Sequence, residues 1–305
     1  MPPPHHTRAS SKQRAVTPVA DLHLHTIASD GRWPPAKVVR AMAELGFSAL
    51  AIADHDEVSG IAEAIEAGRE CGVEIVPAVE LSTAVPPEQL TRADPRAAPG
   101  DKEVHILGYY IDREAPELHK VLEACRTHRH RRMHTMVKKL GELGVPVDIE
   151  HVQRLAGDGA IGRPHLAQAL VDAGHVESIG QAFTRYLSPG RPAHAPKWKM
   201  TPAEACALIR RIGGVPVLAH PMLLKDDSLI KALVEDGVLG LEAYYSNCPV
   251  ETSERYARMA DDAGLLVTGG SDCHQTPDAI LMGRVRLPYE RVEALRARWK
   301  ALGAQ

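Results

Sequence analysis

The sequence predicts an α/β protein whose strands close into a barrel. Strand-sized apolar runs alternate with longer amphipathic segments, which favours a parallel sheet crossed by helices. About seven such runs can be counted, enough units to close a sheet on itself. Every one of them presents His, Asp or Glu at the same, C-terminal end, where barrels of this kind place their active sites.

Val19 to Leu24 reads as the first strand, and Pro34 to Leu45 as a helix with prolines in its first turn. Ala49 to Ala53 is the second strand, followed by a helix over Glu57 to Cys71. Val73 to Val79 and Val104 to Ile111 are the third and fourth. The last three are Val215 to Ala219, Val238 to Ala243 and Leu265 to Thr268, separated by helices over Pro202 to Ile212, Leu229 to Asp236 and Val250 to Ala263. A final helix is expected over Glu290 to Leu302.

Two regions break the alternation. Pro86 to Lys102, rich in Pro, Ala and charge, reads as a flexible surface loop. Residues 113–200 show helical patterning without an obvious strand, so a helical subdomain is expected between the fourth and fifth strands. The expected organisation is a tail over 1–17, a barrel from 18–112 and 201–305, and the insertion over 113–200. The tail has Pro, His, Ser and Arg, no acidic residue and no apolar core, so it reads as disordered rather than as a secretory signal.

A length of 305 residues, 44% hydrophobic, can bury a large core, and no apolar stretch approaches the roughly 20 residues of a membrane span. Five scattered cysteines without a CxxC pair indicate neither a disulfide framework nor a thiolate zinc site, which points to the cytoplasm. The insertion holds 14 Lys and Arg against 9 Asp and Glu, a formal +5, and the remainder 22 against 30, a formal −8. An acidic body suits cations, and a basic segment suits an anionic substrate.

The chemistry-bearing residues are Asp21, His23, His25 and Asp30 after the first strand, Asp54, His55 and Asp56 after the second, and Glu80 after the third. His105 lies on the fourth strand, His220 after the fifth, Glu242 on the sixth, and Asp272 and His274 after the seventh. In an extended segment His23 and His25 point to one side, and so do Asp272 and His274. Imidazole and carboxylate together suit zinc, manganese, iron or magnesium. A single such histidine is usually an ordinary core or surface residue, but the set converging on one end of a barrel points to a metal centre.

The runs Asp21-Leu-His-Leu-His-Thr, Ala53-Asp-His-Asp56, Glu80, Ala219-His-Pro221 and Ser271-Asp-Cys-His274 resemble the motifs of the polymerase and histidinol phosphatase (PHP) superfamily, from about Val19 to Pro288. That resemblance implies a distorted seven-stranded barrel with two or three divalent ions, manganese foremost among the candidates. It implies one site of His23, His25, Glu80 and Asp272, a second of Glu80, His105 and His220, and a third of Asp30, His55 and His274. Glu80, Asp272 and His274 are the expected catalytic residues, acting through a hydroxide formed on the metals. Within the insertion, Gly162-Arg-Pro-His-Leu-Ala167 and Pro189-Gly-Arg-Pro-Ala193, followed by Trp198, resemble the branch that removes the 3′-phosphate of nucleoside 3′,5′-bisphosphates, some members of which degrade RNA from 5′ ends. His194 stands where that branch leads one to expect Tyr.

A nucleotide or short oligonucleotide is therefore the expected substrate, with no membrane and no stable protein partner indicated. Arg126 and Arg129 share a helix face, and with Arg163 they are the expected phosphate contacts; Lys197 and Lys199 are further candidates. Asp21 is expected to orient a ligand imidazole, and Asp54 and Asp56 to do the same or to move a proton. Other readings are a phosphatase of the histidinol phosphate type, an amidohydrolase-like enzyme, and a non-catalytic metal- or nucleic-acid-binding module. The insertion disfavours the first and its positive charge the second. The full set of ligand positions and the 4% aromatic content, which supplies few bases-stacking surfaces, disfavour the third.

Overall fold

The computed structural model describes residues 17–93, 102–157, 161–196, 199–275 and 281–303. The expected tail lies outside them except for Thr17, as do Lys197 and Trp198. The chain opens with β1 (Val19–Leu24), α1 (Pro35–Glu44), β2 (Ala49–Ile52), α2 (Ile61–Cys71), β3 (Glu74–Val85), α3 (Pro87–Ala93) and β4 (Lys102–Tyr109). Helices α4 (Pro116–Glu142), α5 (Ile149–Ala156), α6 (Arg163–Asp172) and α7 (Ile179–Ala182) follow, with a π-helical turn over Phe183–Leu187 and then α8 (Pro202–Arg211). The last part comprises β5 (Val215–Leu218), α9 (Ser228–Glu235), β6 (Gly240–Tyr245), α10 (Val250–Asp262), β7 (Leu266–Gly270), β8 (Leu287–Pro288) and α11 (Tyr289–Gly303).

The strands form one sheet in the order β7-β6-β5-β4-β3-β2-β1-β8. It nearly closes, because the chain just past β7 returns to β1: Asp272 N donates to His23 O at 2.8 Å and His25 N to Cys273 O at 3.2 Å. Gly270 makes this approach feasible. A Cβ there would stand 2.2 Å from His23 Cβ and 2.5 Å from His23 N, so any side chain would push β7 off β1. Gly270→Ala is expected to destabilise the fold by about 1–3 kcal/mol, the usual cost of overpacking. Denaturant unfolding checks this, and an unchanged midpoint would show that β1 can yield.

The α/β barrel class is as expected, but the strand directions are not uniform. β4 runs antiparallel to both β3 and β5, and β8, a strand not expected, runs antiparallel to β1. Among the described residues the connection from β3 to β4 holds the short α3, over part of the stretch expected to be a flexible loop; residues 94–101 lie outside the described ones. β4 then runs back alongside β3 over eight paired positions, from Ala78 opposite Tyr109 to Val85 opposite Lys102. β3 is also longer than expected, so Glu80 sits in its middle rather than at its end.

Small and branched residues fill the barrel, including Ala20, Leu22, Ala49, Ala51, Val76, Ala78, Leu107 and Val217, with Val292 and Leu295 of α11 packed against them. The opposite face of β2, Leu50 and Ile52, packs with Val38, Val39 and Met42 of α1. Between β4 and β5, Met133, Met136, Leu140, Val152, Leu166 and Leu170 form a separate cluster. No helix among the described residues is long and apolar enough to cross a membrane.

Candidate metal centre and cleft

A slip in register brings the first two histidines to the site. Ala20 and Leu22 pack inside the barrel, but the pairing of β1 with β2 shifts between Asp21 and Leu24. Past that irregularity the odd positions reach the site, and His23 Nε2 comes within 3.1 Å of His25 Nε2. His105 arrives from the N-terminal half of β4, because that strand runs backwards and sets His105 opposite Ser82. The expectation that every ligand lies at a C-terminal strand end is corrected there. Asp272 is not in an extended strand either; its φ of 52° turns the chain after β7. His220 (φ 29°) and Asp56 (φ 51°) are likewise in left-handed backbone, a strain that clusters around this site.

Glu80 is the centre of the constellation. Its Oε2 lies 3.3 Å from His23 Nε2, 3.3 Å from His25 Nε2 and 2.8 Å from His55 Nδ1. Its Oε1 lies 2.8 Å from His105 Nδ1 and 3.2 Å from His220 Nε2. Asp272 Oδ1 is 2.9 Å from His25 Nε2, and Asp30 Oδ1 is 3.1 Å from His274 Nε2. Among the described residues, three ligand sets have atoms within 4.8 Å of one another: His23, His25, Glu80 and Asp272; His25, Asp30, His55 and His274; and His55, Glu80 and His105. The first coincides with an expected set. The second adds His25 to another, and the third pairs Glu80 and His105 with His55, while His220 adjoins Glu80 Oε1.

The donor chemistry fits divalent cations. His55 Nδ1 and Glu80 Oε2 are close, yet neither completes a hydrogen bond in a fully enclosed setting. Imidazole nitrogens and carboxylate oxygens crowd together without enough protons to join them all, an arrangement a cation would relieve. Burial opposes ionisation of Glu80, but His55, His23 and His105 hold its carboxyl well below the usual range. Burial likewise opposes a charge on His25, which Asp272 and Glu80 nevertheless raise to about 10.

The supporting residues differ from expectation. Asp21 receives the amides of Ser271 and His23 rather than an imidazole, and burial pushes it up to about 7. Glu242 does that work instead, 2.9 Å from His23 Nδ1. Asp54 accepts from Thr26 N, Thr26 Oγ1 and Ser29 Oγ, fixing the loop that bears Asp30. Asp56 accepts from Ser82 N and from Arg129 Nη2 at 2.6 Å, so both its oxygens are engaged. Cys273 is buried with Leu24 and Val38, as packing rather than chemistry.

Beside the cluster opens a cleft of about 410 Å³ whose lining includes Asp30, His55, His105 and His220 together with Arg129, Arg132 and Arg163. Arg163 lies over the Phe183 ring. Gly162, Arg163 and Pro164 of the expected motif thus face the cleft, while His165 Nδ1 accepts from Gly162 N at the start of α6. Arg126 does not line it; that side chain pairs with Glu57 and Glu123. Lys199 pairs with Glu103, and the carbonyl of His194 accepts from Lys139. Arg132 was not singled out in sequence. It lies three residues after Arg129 on α4, a spacing that shares the face.

A cluster suited to divalent cations beside a cationic cleft defines a hydrolase of phosphoesters, and comparison with known proteins agrees. Residues 21–155 match the PHP domain. A 5′-3′ exoribonuclease of Haemophilus influenzae is 31% identical over 265 residues, covering 85% of this chain and 91% of that one. A 3′,5′-nucleoside bisphosphate phosphatase of Chromobacterium violaceum is 31% identical, covering 83% and 86%. The crystal structure of a Bifidobacterium adolescentis protein assigned as a metal-dependent phosphoesterase superposes with a TM-score of 0.77 at 31% identity, covering 92% and 96%. The chain belongs to the PHP family of metal-dependent phosphoesterases.

Proposed function

We propose that this chain hydrolyses the 3′-phosphate of nucleoside 3′,5′-bisphosphates and also acts on short 5′-phosphorylated RNA. The observation that carries the reading is that ligand-type side chains and three arginines line the same cleft. Its volume suits a mononucleotide or the end of an oligonucleotide. His23, His25, Asp30, His55, Glu80, His105, His220, Asp272 and His274 would hold two or three cations, with manganese as the working choice. Divalent cations bound there would supply an acidified water and offset charge on the phosphoryl oxygens. Arg163 and Arg132 bind and orient the second phosphate. Arg129 is tied to Asp56 and is expected chiefly to hold α4 against the barrel. The 31% identity to a bisphosphate phosphatase and to an exoribonuclease supports both substrates.

Arg163→Ala is expected to lower kcat/KM for a nucleoside 3′,5′-bisphosphate by about 10- to 150-fold, the weight of one charge-assisted hydrogen bond. It should cost much less with a simple phosphomonoester lacking the second phosphate, and Arg126→Ala should cost less than Arg163→Ala on both. Equal losses on both substrates would remove the cleft arginines as the specificity element. Assay of the wild type with bisphosphates, 5′-phosphorylated RNA and histidinol phosphate settles the substrate class.

A further inference from the structure

We infer that Glu242 is a positioning residue that governs cation affinity by fixing two ligand residues at once. It rests on the metal-centre reading above. Glu242 lies on β6, outside the proposed ligand set, and is only 1% exposed. Its Oε1 is 2.9 Å from His23 Nδ1, and its Oε2 accepts from the backbone N–H of His220 at 2.8 Å. One carboxylate therefore reaches a side chain of β1 and the backbone that follows β5.

Each contact has a separate consequence. A proton held on His23 Nδ1 by Glu242 leaves Nε2 with its lone pair free, and Nε2 is the atom facing Glu80 Oε2 and Asp272 Oδ1. The His220 amide belongs to a residue with φ 29° and ψ 61°, a conformation that non-glycine residues rarely adopt. The bond to Glu242 Oε2 holds it there, with Nε2 3.2 Å from Glu80 Oε1. β6 carries a register shift between Glu242 and Tyr244, a device that re-aims side chains at barrel rims. Three residues further along, Tyr245 donates from its hydroxyl to Asp272 Oδ2, leaving Oδ1 toward His25.

Glu242→Gln is nearly isosteric but has only one acceptor oxygen, so it can serve His23 or the His220 amide and not both. Manganese affinity of metal-free protein, measured by titration against a competing chelator, is expected to fall about 10- to 100-fold for at least one ion. Long-range nitrogen NMR of protein loaded with diamagnetic zinc should show His23 protonated at Nδ1 in the wild type and a mixed signature in the variant. Glu242→Asp, which keeps the charge but is too short to span both partners, should also bind more weakly; it serves as the test should Glu242→Gln fail to fold. Wild-type affinity and an unchanged His23 signature in a folded variant would overturn the inference while leaving the metal centre standing. A wild type that takes up no manganese would overturn both.

Discussion

Replacing Glu80 by Gln should lower turnover by more than about 100-fold, above the usual cost of losing a residue that merely supports a ligand. Glu80 is fully buried, and its two oxygens divide five histidines between them: His23, His25 and His55 around one, His105 and His220 around the other. A carboxylate so placed can bridge two cations, whereas Gln keeps the shape, loses the charge and turns an NH₂ toward imidazole nitrogens. The fold should survive, because the exchange adds no volume. Circular dichroism, metal content and steady-state kinetics on the same preparation check this. Near-normal turnover in a folded variant would show that Glu80 does not bridge.

Removing divalent ions should abolish hydrolysis, and adding manganese to the stripped protein should restore it. Two or three ions per chain are expected after reconstitution, and fewer than about one would contradict a multinuclear centre. The metal that binds best need not be the one that works best, since zinc generally outcompetes manganese for nitrogen and oxygen ligands. Turnover must therefore be compared metal by metal at matched occupancy. A stripped protein that remained active would remove the basis for the ligand assignment.

The spacing of His23 and His25 could be read in sequence because local geometry alone sets where two alternate side chains point, although a register slip finally aims them. Asp272 and His274 have the same spacing and come to the same cluster by another route, through a left-handed residue that no strand pattern reveals. The reversal of β4 was hidden because an apolar run carries no sign of its direction. Longer-range pairings were harder still. Arg129 looks like a free cation in sequence, but its partner Asp56 lies 73 positions away. Glu242 stood among the polar residues on the strands, yet its role depends on His23, 219 positions distant, and on a backbone N–H that has no sequence signature.

Helix α4 runs for 27 residues, about 40 Å at the usual rise per residue. Leu118 and Leu122 near its start are packed in the core that includes β3, β4 and α8, whereas Met133, Met136 and Leu140 near its end belong to the cluster between β4 and β5. One unbroken rod is thus anchored in both bodies and pinned between them where Arg129 meets Asp56. A hinge in this strut would require breaking helical hydrogen bonds and a partly buried ion pair together. Arg132, three residues beyond that contact, is carried on the same strut to the cleft that it lines. For the bisphosphate substrate proposed above, selection would then rest on the distance between two phosphates.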